Sequence, residues 1–493
     1  MSARTLFDRV WDEHVVASLG PGVDLLHIDR HLQHDLGGGD ALADLVRRGL
    51  AVRNPELTYA VPDHVVETRP GRRGGMAQWA DDLIASLREQ SRAQGVRMFD
   101  VGEDGQGIVH VIGPELGLTL PGLTVVCGDS HTCTHGALGA LAFGIGATEI
   151  RHVLATQTLA QARPRTMLVH FGGVLPGGVG AKDLVLALIG RLGAGGGSGY
   201  AVEYAGPAVR ALGMEARLTL CNLSIELGAK VGMIAPDDVA IDWLRGRPYA
   251  PRGALWDEAA AHWRTLASDP GAGFDRRVDF DASGLAPQVT WGISPDQVVG
   301  VGEAVPDPGD APDAATRDFW RRGLDYMGLR GGRPLAGTRI DRVFIGSCAN
   351  ARLSDLRAAA GVLRGRRVAA HVQAWVVPGS QRVKREAEAE GLHEVFLAAG
   401  AQWRESGCSL CVGANGELLA PGERAMSTSN RNFVGRQGPG SRTHLCSPAS
   451  AAAAAVAGEI VDPRAFAAAS GTGLPPALGP SPAPGALPGL GKI

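Results

Sequence analysis

Four times along this chain a short apolar, β-rich run gives way, after a turn, to a stretch with apolar residues at helical spacing. Leu123-Thr124-Val125-Val126 precedes 147–163, Met167-Leu168-Val169-His170-Phe171 precedes 181–191, Val343-Phe344-Ile345 precedes 355–363, and Ala374-Trp375-Val376-Val377 precedes 385–399. Repeated strand-then-helix alternation restricts the fold to the α/β class, with parallel sheets flanked by helices. A chain of 493 residues is too long for one hydrophobic core, and about three domains are expected. We expect α/β units at 1–165, 166–300 and 301–469. Beyond them, 470–493 is rich in Pro and Gly and too poor in apolar bulk to pack, so it is expected to be a disordered tail. The Gly-rich stretch 193–199 follows a helix, not a strand, which excludes a dinucleotide loop and leaves a flexible connection.

Composition excludes several functions. With 45% hydrophobic residues, 20% charged residues and a formal net charge of −3, the chain has no electrostatic reason to bind nucleic acid or an anionic membrane. The basic run Arg69-Pro70-Gly71-Arg72-Arg73 reads as a solvated loop. Charged residues interrupt the first sixteen positions, so neither a signal peptide nor a membrane span is expected there. Seven cysteines, an odd number spread over a long chain, do not make a disulfide framework; a reducing, cytoplasmic setting is expected.

Three of those cysteines carry chemistry. Cys348 lies in Ile345-Gly346-Ser347-Cys348, at the C-terminal end of a predicted strand, where open α/β sheets place their ligands. Cys408 and Cys411 form a C-x-x-C in Gly407-Cys408-Ser409-Leu410-Cys411. Three thiolates suit a cubane iron–sulfur cluster that leaves one iron without a protein ligand and open to substrate. With His444 or Cys446 as a fourth ligand, the same spacing also suits a structural zinc, and buried structural cysteines remain a third reading.

Imidazoles and guanidiniums surround this theme. Asp129-Ser130-His131 follows the strand at Val126, and Asp63-His64 and His110 each lie near an apolar run. An acid beside an imidazole orients and charges it for proton transfer. Arg431 and Arg436, in the loop 429–436, suit bidentate binding of carboxylates. Together these groups describe the removal and addition of water on a hydroxy acid.

The strings Val126-Cys127-Gly128-Asp129-Ser130-His131-Thr132, Phe143-Gly144-Ile145-Gly146, Ile345-Gly346-Ser347-Cys348, Gly407-Cys408-Ser409-Leu410-Cys411 and Thr428-Ser429-Asn430-Arg431-Asn432-Phe433 resemble the aconitase superfamily. Thr5-Leu6-Phe7-Asp8, Ile28-Asp29-Arg30-His31-Leu32, 154–159 and Pro287-Gln288-Val289-Thr290-Trp291-Gly292 are similar to its two-subunit branch, the large subunits of bacterial 3-isopropylmalate dehydratases. The resemblance covers roughly residues 4–465. It implies three α/β/α domains around a central cluster, and a hydro-lyase that interconverts 2- and 3-isopropylmalate in leucine biosynthesis. Cys348, Cys408 and Cys411 would hold one [4Fe–4S] cluster with one iron free of protein ligands. Asp63 and His64 would protonate the departing hydroxyl, His131 would pair with Glu226, and His110 and Asp129 would complete the catalytic set. His34, Ser130, Asn222, Arg431 and Arg436 would bind substrate.

The family's swivelling small domain, which carries the proton-abstracting serine and a further substrate arginine, has no counterpart before the tail. The resemblance therefore implies a separate small-subunit partner, with the active site between the two. Ala349, Ala351, Cys133, Ser406 and the stretch Leu36-Gly37-Gly38-Gly39 depart from the family pattern. They leave room for a related hydro-lyase acting on another 2-substituted malate. A cluster-free RNA-binding role, known among aconitase relatives, is opposed by the near-neutral charge and the retained cysteines.

Overall fold

A computed structural model of the chain describes residues 3–468, so the expected tail at 470–493 lies outside the described residues. Three parallel sheets organise it, as the strand–helix alternation predicts. The first runs in the order Arg97–Met98, Thr58–Val61, Arg30–His34, Thr124–Cys127, Leu141–Gly144, with every neighbour parallel. Thr58–Val61 and Thr124–Cys127 are buried at every residue, the mark of parallel strands covered on both faces. The second sheet runs Val231–Met233, Tyr200–Ala205, Arg165–Gly172, Arg276–Asp281. The third runs Gln402–Trp403, Gln373–Val376, Arg342–Ile345, Arg424–Ser427, Arg442–Leu445.

Parallel strands bring residues from distant stretches of chain to one end of a sheet, and this places the site. His34 ends its strand, Asp63 lies just past Thr58–Val61, and Asp129 just past Thr124–Cys127. In the third sheet, Cys348 follows Arg342–Ile345, Cys408 follows Gln402–Trp403, and Asn430 follows Arg424–Ser427. One continuous apolar core joins the first two sheets, from Val126 and Phe143 to Val169 and Tyr204; a second, around Val343, Phe344 and Val376, serves the third. Among the described residues, no helix is long and apolar enough to cross a membrane.

Several elements differ from the sequence reading. The expected helix 147–163 ends at Thr156; Gln157 takes a left-handed conformation (φ 58°), and Thr158–Ala162 becomes an antiparallel strand. The expected helix 385–399 is two, Gln381–Ala389 and Leu392–Ala399, broken where Gly391 has φ 70°. The stretch Leu36-Gly37-Gly38-Gly39 opens the helix Gly38–Arg47; Gly37 caps it in left-handed backbone (φ 99°), and Gly39 has a packing reason. A Cβ on Gly39 would lie 2.9 Å from the backbone nitrogen of Leu87, in the helix Gln78–Ala93.

Candidate active site

At the C-terminal end of the first sheet, one carboxylate gathers three imidazoles. Asp129 Oδ2 is 3.2 Å from His64 Nε2, and Asp129 Oδ1 lies 3.3 Å from His110 Nε2 and 3.3 Å from His131 Nδ1. As N-cap of the 3₁₀ segment Ser130–Leu138, Asp129 also accepts the backbone N–H of His131 at 2.6 Å, which fixes its carboxylate. The contact to His110 is close without hydrogen-bond alignment, so His110 Nε2 is a buried polar atom with no hydrogen-bond partner. Its other nitrogen meets His135 at 3.1 Å.

His64 and His131 each have a second acid beside them. His64 Nδ1 is 2.6 Å from Asp63 Oδ1, and His131 Nε2 is 3.1 Å from Glu226 Oε1. Burial opposes charge on both rings, but Asp63 with Asp129, and Asp129 with Glu226, outweigh it; His64 is raised well above its ordinary value and His131 is raised. Burial also works against ionised Asp129, yet the close imidazoles of His110, His131 and His64 hold it well below the usual carboxylate range. His34, its ring centroid 4.5 Å from that of His64, is driven down to about 4 by burial and by the neighbouring imidazolium. The N–H of Leu36 donates to its Nδ1 at 3.2 Å, so the proton sits on Nε2, buried and without a partner. Two buried nitrogens that lack partners, on His34 and His110, mark a site built to meet a polar ligand.

Glu226 links this array to the arginine loop. Arg431 donates from Nε to Glu226 Oε1 at 2.6 Å and from Nη2 to Ser130 Oγ at 2.9 Å. Arg436 donates from Nε to the carbonyl of Cys411 at 2.8 Å, anchoring it beside the C-x-x-C turn.

Cys348, Cys408 and Cys411 are all buried and free of disulfides. Burial, and then Cys411 beside Cys348 and Asp63 beside Cys408, push the Cys348 and Cys408 thiols up, so a cationic centre next to them is what would allow these two to ionise. Cys348 Sγ accepts 3.2 Å bonds from Asn222 Nδ2 and Asn430 Nδ2. Bonds to sulfur of this kind tune iron–sulfur centres. Of the three non-glycine residues with positive φ among those described, two, Ser347 (77°) and Ser409 (49°), adjoin these cysteines; such strain persists where surrounding structure imposes it. The donor set fits a three-cysteine [4Fe–4S] cluster. It does not fit zinc with His444, because both ring nitrogens are engaged, with Thr290 O at 2.5 Å and with Arg424 Nη1 at 2.8 Å.

The sequence departures sit quietly here. Cys133 contacts the carbonyl of Asn222 at 3.4 Å, and the carbonyl of Ala349 accepts from Thr219 Oγ1 at 2.7 Å. Ser406 Oγ is bound by Gln106 and Gln381, and its carbonyl by Arg72. Arg72 is thus no solvated residue, as the basic run suggested, but a brace on the segment leading to Cys408.

The residue sequence reasoning missed most clearly is Lys182. Only 1% exposed, it donates from Nζ to the carbonyls of Ser429 (2.6 Å) and Thr428 (3.1 Å), clamping the turn that carries Asn430 and Arg431. Burial lowers its ammonium to about 8, against the opposing pull of Cys446, Cys411 and Cys348. Lys182→Met is expected to leave unfolding of the cluster-free chain within about 1 kcal/mol of the parent. Relief of a buried charge offsets the unpaired Ser429 carbonyl, and calorimetry would check this. In the reconstituted protein the same change should lower the cluster potential by on the order of 50 mV, read by an EPR-monitored titration, because a lost cation disfavours the more negative reduced state.

The model of the aconitase family (aconitate hydratase) matches residues 8–458. A 3-isopropylmalate dehydratase large subunit 1 of Bradyrhizobium diazoefficiens is 61% identical over 461 residues, covering 94% of this chain and 96% of that protein. A 3-isopropylmalate dehydratase large subunit of Roseiflexus castenholzii is 53% identical over 470 residues, covering 94% and 99%. The crystal structure of Thermococcus kodakaraensis aconitase X aligns with a TM-score of 0.44 at 14% identity, covering 83% and 84% of the two chains. A family match across nearly the whole described chain, on residues that also build the array around Asp129 and the cysteine corner, means that this protein belongs to the aconitase family.

Proposed function

We propose that this chain is the cluster-bearing large subunit of a 3-isopropylmalate dehydratase, a hydro-lyase that interconverts 2- and 3-isopropylmalate for leucine biosynthesis in the cytoplasm. The observation that carries the reading is the meeting, at one end of two parallel sheets, of an acid–imidazole array with a three-cysteine corner. The relatives named as large subunits support the substrate and a separate small-subunit partner.

When bound by Cys348, Cys408 and Cys411, the cluster supplies a Lewis acid for the departing hydroxyl. The chain's own residues supply the rest. His64, kept cationic between Asp63 and Asp129, holds a proton where a leaving hydroxyl can take it. Asp129 keeps His110 and His131 oriented toward the same space, and the Nε2–H of His34 binds a substrate oxygen. Arg431, steadied by Glu226 and Ser130, and Arg436 bind substrate carboxylates and stabilise the charge that develops beside them. Asn222 holds Cys348 in register with the array. The proton on the adjacent carbon goes to a serine of the small subunit, whose docking closes the site. We assign the α/β units to 1–165, 166–300 and 301–469.

The test is anaerobic reconstitution of the chain, with and without a 3-isopropylmalate dehydratase small subunit from the same organism, followed by absorbance of the unsaturated acid formed from 2-isopropylmalate. Turnover only with both chains is expected. A cluster spectrum with no turnover on isopropylmalate, but turnover on another 2-substituted malate, would overturn the substrate assignment.

A further inference from the structure

We propose that Glu417 is a positioning residue for the cysteine corner: its carboxylate holds Ser409 in left-handed backbone, and so sets how Cys408 and Cys411 face each other. The inference rests on the cluster assignment above. In the turn, Cys411 N–H donates to Cys408 O at 2.9 Å and Gly413 N–H to Ser409 O at 3.0 Å, with Ser409 at φ 49°. A residue with a Cβ does not stay there unaided. The restraint is visible. Ser409 Oγ donates to Glu417 Oε2, while Glu417 Oε1 takes Arg404 Nη1 at 2.9 Å. The side chains of that ion pair are 3% and 6% exposed, and Arg404 lies with its guanidinium 3.8 Å from the centroid of the Trp375 ring.

The same carboxylate reaches the other half of the site. Thr68 Oγ1 is 2.8 and 2.7 Å from its two oxygens, and the N–H of Thr68 donates to Oε1 at 3.2 Å. Thr68 lies four residues beyond His64. Parallel ties run alongside: Cys408 N–H to Asp63 O at 2.9 Å, and Asn415 Nδ2 to Val66 O at 3.1 Å. A buried ion pair gives little net stability, and its best-attested use is to specify one arrangement. Here that arrangement is the register of the cysteine turn against the segment that carries Asp63 and His64.

Glycine tolerates the left-handed region without a restraint and alanine does not, so the decisive pair is Ser409→Gly and Ser409→Ala. Both lose the hydroxyl; only one regains backbone freedom. The reconstituted full-length chain and its variants would be challenged with a ferrous chelator, and the decay of visible cluster absorbance timed. Ser409→Ala and Glu417→Gln are expected to lose the cluster about tenfold faster than the parent. Ser409→Gly, and Ser409→Gly combined with Glu417→Gln, are expected to stay within about threefold of it. Equal decay in Ser409→Gly and Ser409→Ala would overturn the proposal, as would parent-like decay in Glu417→Gln. Because Ser409→Ala leaves the pair of Glu417 with Arg404 intact, the contrast decides the matter even if Glu417→Gln fails to fold. A parent chain that takes up no cluster would overturn the functional reading as well, which separates the two failures.

Discussion

Cys411→Ser should give a folded chain with no measurable turnover, a loss of at least about four orders of magnitude if Lewis-acid catalysis carries the hydroxyl's departure. The substitution is nearly isosteric, and among the described residues Cys411 Sγ makes one weak hydrogen bond, 3.9 Å to Asn430 Oδ1, so the apolar packing around Leu410 survives. What changes is the ligand. An alcohol at this buried position stays protonated and binds iron poorly compared with a thiolate. The measurements are iron and sulfide content, visible absorbance and dehydration rate, with circular dichroism as the control for folding. A variant that keeps both cluster and rate would sink the assignment of Cys411 as a ligand.

The legibility of this site divides along a physical line. Cys348, Cys408 and Cys411 could be picked out because their neighbours are short, unusual strings at predicted strand ends, and because parallel sheets place ligands there. The alternation of strands and helices was readable for the same reason: it depends on local periodicity. The grouping around Asp129 was not readable from spacing, since His64 stands 65 residues away in sequence and only the lateral order of strands makes them neighbours. Resemblance to a family supplied that grouping. Lys182 escaped both routes. Near the start of the helix Ala181–Leu192 it looks like an ordinary solvated lysine, and its partners are carbonyls 246 and 247 residues further on, which no side-chain pattern announces. Arg72 and Glu417 escaped likewise, as charges whose role depends on a loop from elsewhere in the chain. The misplaced helix ends have a smaller cause: Gln157 in left-handed backbone is not a residue that signals a stop as glycine does.

Asp129→Asn isolates charge from shape, and it should lower kcat by about 10² to 10³ while moving the alkaline limb of the pH profile. Asparagine keeps an oxygen to accept the N–H of His131, so the 3₁₀ segment Ser130–Leu138 retains its cap. It removes the negative charge that, with Asp63, holds His64 cationic against burial. The sign follows directly. In its proposed role as the acid, His64 works only while protonated, so the rate is expected to fall as pH rises through its folded value, which in the parent lies well above 6.5. Loss of one of its two carboxylates brings that value down, and the limb should move to lower pH. The stabilisation that charged His64 gives the fold is present below pH 6.5 and lost as pH climbs through the raised value; in the variant it should disappear at lower pH as well. Steady-state profiles of kcat and kcat/KM, with thermal unfolding recorded at the same pH values, would read both effects. A rate loss with the limb unmoved would mean that Asp129 acts by orienting His110 and His131, and that Asp63 alone keeps His64 charged.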